Sequence, residues 1–144
     1  MALRKVFAVL CSSSCVTVLA ASVFIAGACG GSEPRLSLLQ VMYMIDFEDQ
    51  RMRSALGRGD LPQVLDAGNT IRRHHEDPAF ERYLERPNLP APIARFNEYQ
   101  TGFLSSLDEV LAAAQSGDLA GANRVYPRMR MACEICHRDF RPGL

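Results

Sequence analysis

Lysine is almost missing from this chain: among its 144 residues only Lys5 is one. From Cys29 onward, the 16 basic residues less Arg4 and Lys5 leave 14 Arg against 16 acidic residues, a formal charge of −2. With no basic stripe and no cationic excess, a nucleic-acid surface is excluded. Cysteine is scarce as well. Cys11 and Cys15 fall inside an N-terminal apolar run and Cys29 at its end, leaving Cys133 and Cys136 beyond it. One close pair cannot make a disulfide-stapled scaffold. Internal repeats, a glycine-rich phosphate loop and strand-like alternation are absent too. No acid/base pair and no nucleophile with a partner base can be read, so the chain is not expected to be an enzyme.

What is there begins with a targeting segment. Arg4 and Lys5 precede an apolar run from Val6 to Ala28 that ends in Ala26-Gly27-Ala28, small residues of the kind a signal-peptide cleavage site requires. Cys29 follows, with Gly30-Gly31-Ser32 behind it. Small residues before a Cys and a flexible stretch after it resemble a bacterial lipobox, in which the Cys is lipidated. Ala26 stands where such a site usually has Leu. The expected division is a signal peptide over 1–28, a tether over 29–34 and a helical domain over 35–144. A lipoprotein attached to a membrane through Cys29, a soluble periplasmic protein cleaved after Ala28, and an uncleaved anchor helix all remain open. Each exports the domain from the cytoplasm.

Four helices are expected in the domain. In the first, over about Arg35–Leu56, Leu38, Met42, Ile45, Met52 and Leu56 share one face, and Gly57 and Gly59 stop it. Asp60 caps a second helix that carries Leu61, Val64, Leu65, Gly68 and Ile71 inward and ends near His75. Pro87, Pro90 and Pro92 make the segment from Glu76 to Pro92 a loop, with at most a short turn around Phe80–Tyr83. The third helix, about Ile93–Ser116, repeats Ile93, Phe96, Phe103, Leu107, Val110 and Ala114. Gly117 ends it and Asp118 caps the fourth. There Ala122, Tyr126, Met129, Cys133, Cys136 and Phe140 form one stripe, and Pro127 is expected to bend or restart the helix. The fold class is all-α, with the four helices as an antiparallel up-down-up-down bundle. The acidic run Asp46, Glu48, Asp49 reads as a solvated face.

The chemistry sits in Cys133-Glu134-Ile135-Cys136-His137. C-x-x-C-H in an exported chain is the attachment signal for a c-type haem. Thiols at i and i+3 share a helix face and can meet the two vinyl groups of one porphyrin, and the adjacent His137 can serve as an axial iron ligand. Arg141, one turn beyond His137, could shield the haem edge or bond a propionate. A thioredoxin-like pair normally sits at a strand-to-helix turn, which this pattern lacks. A zinc site needs further ligands, and only His74 and His75 remain.

Gly117-Asp118, Tyr126 and the ending Cys133-Glu-Ile-Cys136-His137-Arg-Asp-Phe140-Arg141 resemble the C-terminus of the cytochrome c-prime family. The resemblance spans about Leu36 to Arg141 and is sharp only over the last helix. It implies a four-helix bundle with one covalent haem c on the last helix. It also implies one of two functions: electron transfer with redox partner proteins by a six-coordinate haem, or binding of nitric oxide or carbon monoxide by a five-coordinate one. Members often pair into a homodimer through their first two helices; Glu48 and Arg51 on the outer face of this first helix leave that open.

In such a bundle the haem end of the last helix lies beside the start of the first, the end of the second and the start of the third. Met42 is then the leading candidate for a sixth iron ligand, with ordinary core packing as the competing reading. His74 or His75 could fill the role instead, against a solvated helix end. Phe96, Tyr99 and Phe103 belong to the haem end of the third helix, as edge packing or plain core. Arg72 and Arg73 are candidates for the propionates, against ordinary surface arginines.

Overall fold

Ser37 opens the first helix with a capping box: its hydroxyl accepts from the Gln40 amide, and the Gln40 side chain accepts from the Ser37 amide. In the computed structural model, which describes residues 35–140, that helix is α1 (Leu38–Arg58). It is followed by α2 (Leu61–His75), α3 (Ala79–Leu84), α4 (Ile93–Gln115) and α5 (Leu119–Phe140). The chain is all-α, with no strand among the described residues. The expected signal segment over 1–28, the expected tether over 29–34 with Cys29, and Arg141 lie outside the described residues.

Two tight turns organise the packing. Gly59 (φ 72°) ends α1 in the left-handed conformation, and Asp60 caps α2 by accepting from the Gln63 amide. Gly117 (φ 80°) and Asp118 do the same between α4 and α5, where Asp118 accepts from the Gly121 amide. Each turn folds a helix back on its predecessor, so α1 packs on α2 and α4 on α5, and α2 joins the two pairs through α4. Met52, Ile71, Leu107, Met129, Val41, Val64 and Val110 are fully buried between them. Each such side chain stabilises the fold by about 1.5–3 kcal/mol.

The helices follow the sequence pattern with four departures. The segment after α2 is not a bare loop with one turn: α3 runs six residues and buries Ala79 and Phe80. Asp77 initiates it by accepting from the Ala79 amide. Pro127 does not restart the last helix, since α5 is one helix through it. Ala122 before the proline and Met129 after it are both fully buried, which holds the two halves in one register.

The acidic run on α1 is not uniformly solvated: Asp46 is exposed, but Glu48 and Asp49 are 8 % and 5 % exposed. Asp49 falls four residues after Ile45 and three before Met52, so the helix turns it inward. α1 is also less charged on its exposed side than the sequence suggested: Met44 and Phe47 are exposed, and so are Leu39 and Tyr43, which border a cleft. Among the described residues no helix is long and apolar enough to cross a membrane.

Candidate functional site

Leu38 and Met42 share the inner stripe of α1 but are only half-buried, unlike Ile45, Met52 and Leu56 further along. The reason is a cleft of about 710 Å³, within the ~300–1,000 Å³ typical of small-molecule and cofactor sites. Its wall draws on every helix. α1 contributes Leu38, Met42 and Ile45; α2 contributes His75; α3 contributes Phe80 and Tyr83; α4 contributes Phe96, Tyr99 and Phe103; α5 contributes Cys133, Cys136, His137 and Phe140. The lining is mostly apolar and aromatic. A shallower groove on the outside of α4, around Thr101 and Ser105, is open to solvent, and its carboxylates Asp108 and Glu109 are already paired with Arg72 and Arg128.

Cys133 and Cys136 are both half-buried free thiols one helical turn apart. Cys133 Sγ donates to the Met129 carbonyl at 3.7 Å. Burial, helped by the nearby Asp49 carboxylate, pushes the Cys133 thiol up to about 12. Burial and Asp139 push Cys136 up to about 11. Both thiols are therefore protonated at neutral pH. His137 follows on the exposed side of α5 while still lining the cleft.

His74 and His75, equivalent in the sequence, part company in the fold. His75 lines the cleft and His74 does not. The His75 ring stacks on Phe80 at 4.8 Å and on Phe103 at 4.6 Å between centroids. Burial lowers its pKa to about 4, so the ring is neutral at pH 7. Its Nδ1 is buried with no hydrogen-bond partner. A buried polar atom left unsatisfied costs about 1–3 kcal/mol.

Phe96, Tyr99 and Phe103 all reach the cleft. Phe140 stands edge-on to Phe96 at 5.3 Å and to Tyr99 at 6.4 Å, closing one end of it. Tyr99 donates to Asp139 at 2.6 Å, and Arg95 pairs with the same carboxylate at 3.2 Å, fixing the last turn of α5 against α4.

Arg72 and Arg73 do not line the cleft. Arg72 bridges to Asp108 on α4, and Arg73 donates to Thr70 at 2.7 Å. The arginines at the cleft are Arg82, Arg86 and Arg130, none of which the sequence reading had singled out. For Arg130 a signal existed: it lies three residues before Cys133, on the same helix face. For Arg82 and Arg86 none did, because a short turn around Phe80–Tyr83 defines no helix face on which to place them. Arg130 pairs with Asp49, Arg82 donates to the Leu36 carbonyl at 2.7 Å, and Arg86 sits 5.8 Å from the centroid of the Tyr83 ring.

The arrangement joins two thiols, two imidazoles, one thioether, three guanidinium groups and the carboxylates of Asp46, Asp49 and Glu134 around a largely apolar space open at one side. Among the described residues no group of three or more His, Cys, Asp and Glu side chains is arranged to hold a metal ion by itself. Compared with protein-family models, characterised proteins and solved structures, the chain finds no match.

Proposed function

We infer that this chain is a monohaem c-type cytochrome of the bacterial envelope that transfers electrons between redox partner proteins. The observation that carries the reading is the convergence of Cys133, Cys136 and His137 on one cleft large and apolar enough for a porphyrin. The residues fit the group. The two thiols share a face and would form the thioether links, His137 would be the first iron ligand, and Phe96 and Phe140 would supply apolar wall. Arg82, Arg86 and Arg130 line the cleft as cations for its propionates, and Arg141 remains the sequence-based candidate for its exposed edge. Met42 and His75 are a thioether and a second imidazole on the cleft wall.

When bound, haem supplies a one-electron iron couple. The protein's own part is to hold the ligands, lower the polarity around the iron and keep water away, which together set the potential. Leu38, Ile45, Phe96 and Phe103 do the excluding; the Tyr99–Asp139–Arg95 bonds steady the helix turn that carries His137. The thiols, held protonated by burial, fit a covalent attachment role better than a redox pair, which works through a low-pKa thiolate. On this reading the four long helices form an antiparallel bundle around the cofactor, and the domain is exported behind the 1–28 signal, with Cys29 as its lipid attachment point.

A second reading, a five-coordinate haem that binds nitric oxide or carbon monoxide, is favoured by the apolar lining, which would suit a diatomic gas over water. One experiment tests the first and separates it from the second. The full chain is expressed with a c-type haem maturation system, and mass and optical spectra are recorded with and without carbon monoxide. Covalent haem with sharp reduced bands that ignore carbon monoxide supports electron transfer. A broad spectrum that shifts with the gas supports the second reading. No covalent haem removes both.

A further inference from the structure

The slot that holds His75 between Phe80 and Phe103 suits an apolar side chain. A phenylalanine or leucine would fill it and leave nothing unsatisfied. An imidazole there leaves Nδ1 buried without a partner and out of reach of the cleft, so Nε2 is the nitrogen that can meet a ligand in the space His75 lines. The ring is clamped by residues of two different helices, α3 and α4, so its orientation is fixed before anything binds.

Resting on the covalent-haem reading above, we propose that His75 supplies the second axial ligand to the haem iron, completing with His137 a bis-histidine centre. Met42 shares the cleft, but packing alone accounts for it: it is a half-buried, flexible thioether set against the core, with no unsatisfied polar atom. His75 has no such account. The assignment has two consequences. The iron is closed to carbon monoxide, and its potential lies below that of a methionine-ligated haem, since methionine ligation raises it.

The test uses the haem-loaded full chain. Near-infrared magnetic circular dichroism of the oxidised wild type distinguishes two imidazoles from imidazole plus thioether without any substitution, and should give the two-imidazole band. His75→Phe, which fills the slot, should keep covalent haem and helical content. It should turn the spectrum high-spin and carbon-monoxide-responsive, and added imidazole should restore the low-spin form. Met42→Leu should leave the spectrum unchanged. A thioether band in the wild type, with low-spin character lost in Met42→Leu and kept in His75→Phe, would overturn the proposal in favour of Met42. A high-spin wild type would overturn it in favour of a vacant position. Failure of the wild type to take up covalent haem would strike at the underlying reading, and is seen separately in the mass.

Discussion

Tyr126 of α5 donates its hydroxyl to the carboxylate of Asp49 on α1 across 2.9 Å, at a position where Asp49 is 5 % exposed. Arg130, one turn further along α5, pairs with the same carboxylate. α1 and α5 otherwise touch little. Removing the carboxylate in Asp49→Ala leaves Arg130 only a 4.0 Å approach to Glu134, and leaves Tyr126 only Arg53 and the residue-49 carbonyl. Because Arg130 keeps partial access to water, the lower end of the buried-pair cost applies, about 3 kcal/mol. Tyr126→Phe removes the bond to the Asp49 carboxylate and the longer ones with the Asp49 carbonyl and Arg53, and should cost about 1–2 kcal/mol. Urea unfolding of the two single variants and the double variant checks this, and the double should cost less than the sum.

The same tyrosine gives a pH dependence. Burial raises the Tyr126 pKa from its ordinary 10.0 to about 12. Between those values the unfolded chain has lost the phenolic proton and the folded chain has kept it. Stability from this group is thus complete below pH 10.0 and drains away as the pH rises toward about 12. Thermal melts across this window should show a steeper alkaline decline for the wild type than for Tyr126→Phe.

Gly59 and Gly117 both adopt positive φ, but their surroundings differ. A Cβ at Gly59 would meet Leu119 Cδ2 at 3.3 Å, whereas one at Gly117 would meet nothing within 4 Å. Gly117→Ala should therefore cost only the left-handed conformation, about 1 kcal/mol. Gly59→Ala should cost more, and Gly59→Asn should recover part of the conformational share, since Asn tolerates that region. Chemical denaturation of the three variants ranks them.

The thiols make a fourth test, on protein prepared without haem maturation. With Cys136 held at about 11 and Cys133 at about 12, alkylation by iodoacetamide at neutral pH should be slow for both, and slower for Cys133. Urea should accelerate both. Fast alkylation of the folded chain at pH 7 would contradict the burial described here.

Much of this architecture is legible in local chemistry. Asp60 and Asp118 cap the helices they precede, Gly59 and Gly117 take the positive φ, and the stripe Ala122, Met129, Cys133, Phe140 faces the interior or the cleft. The cleft wall follows from knowing which helix ends adjoin. What escaped reading depends on tertiary partners. α3 is six residues long, too short for periodicity to reveal. Asp49 is polar at an inward position, and only its distant partners Tyr126 and Arg130 make that tolerable. Adjacent histidines look alike until Phe80 and Phe103 are seen to enclose one of them. Pro127 is accommodated because buried neighbours on both sides hold α5 together, a strength no local rule registers.

One feature of α3 reaches further than its length. Arg82 holds the Leu36 carbonyl ahead of α1, and its neighbour Tyr83 donates to the Phe140 carbonyl, the last residue of α5, at 3.1 Å. Helix ends ordinarily fray, and their amides exchange with solvent long before the interior opens. Here two consecutive residues of α3 clasp the entry to α1 and the last turn of α5, so fraying at the one and at the other become a single event. Deuterium should enter the first turn of α1 and the last turn of α5 at matching rates, and a lesion in α3 should speed both together.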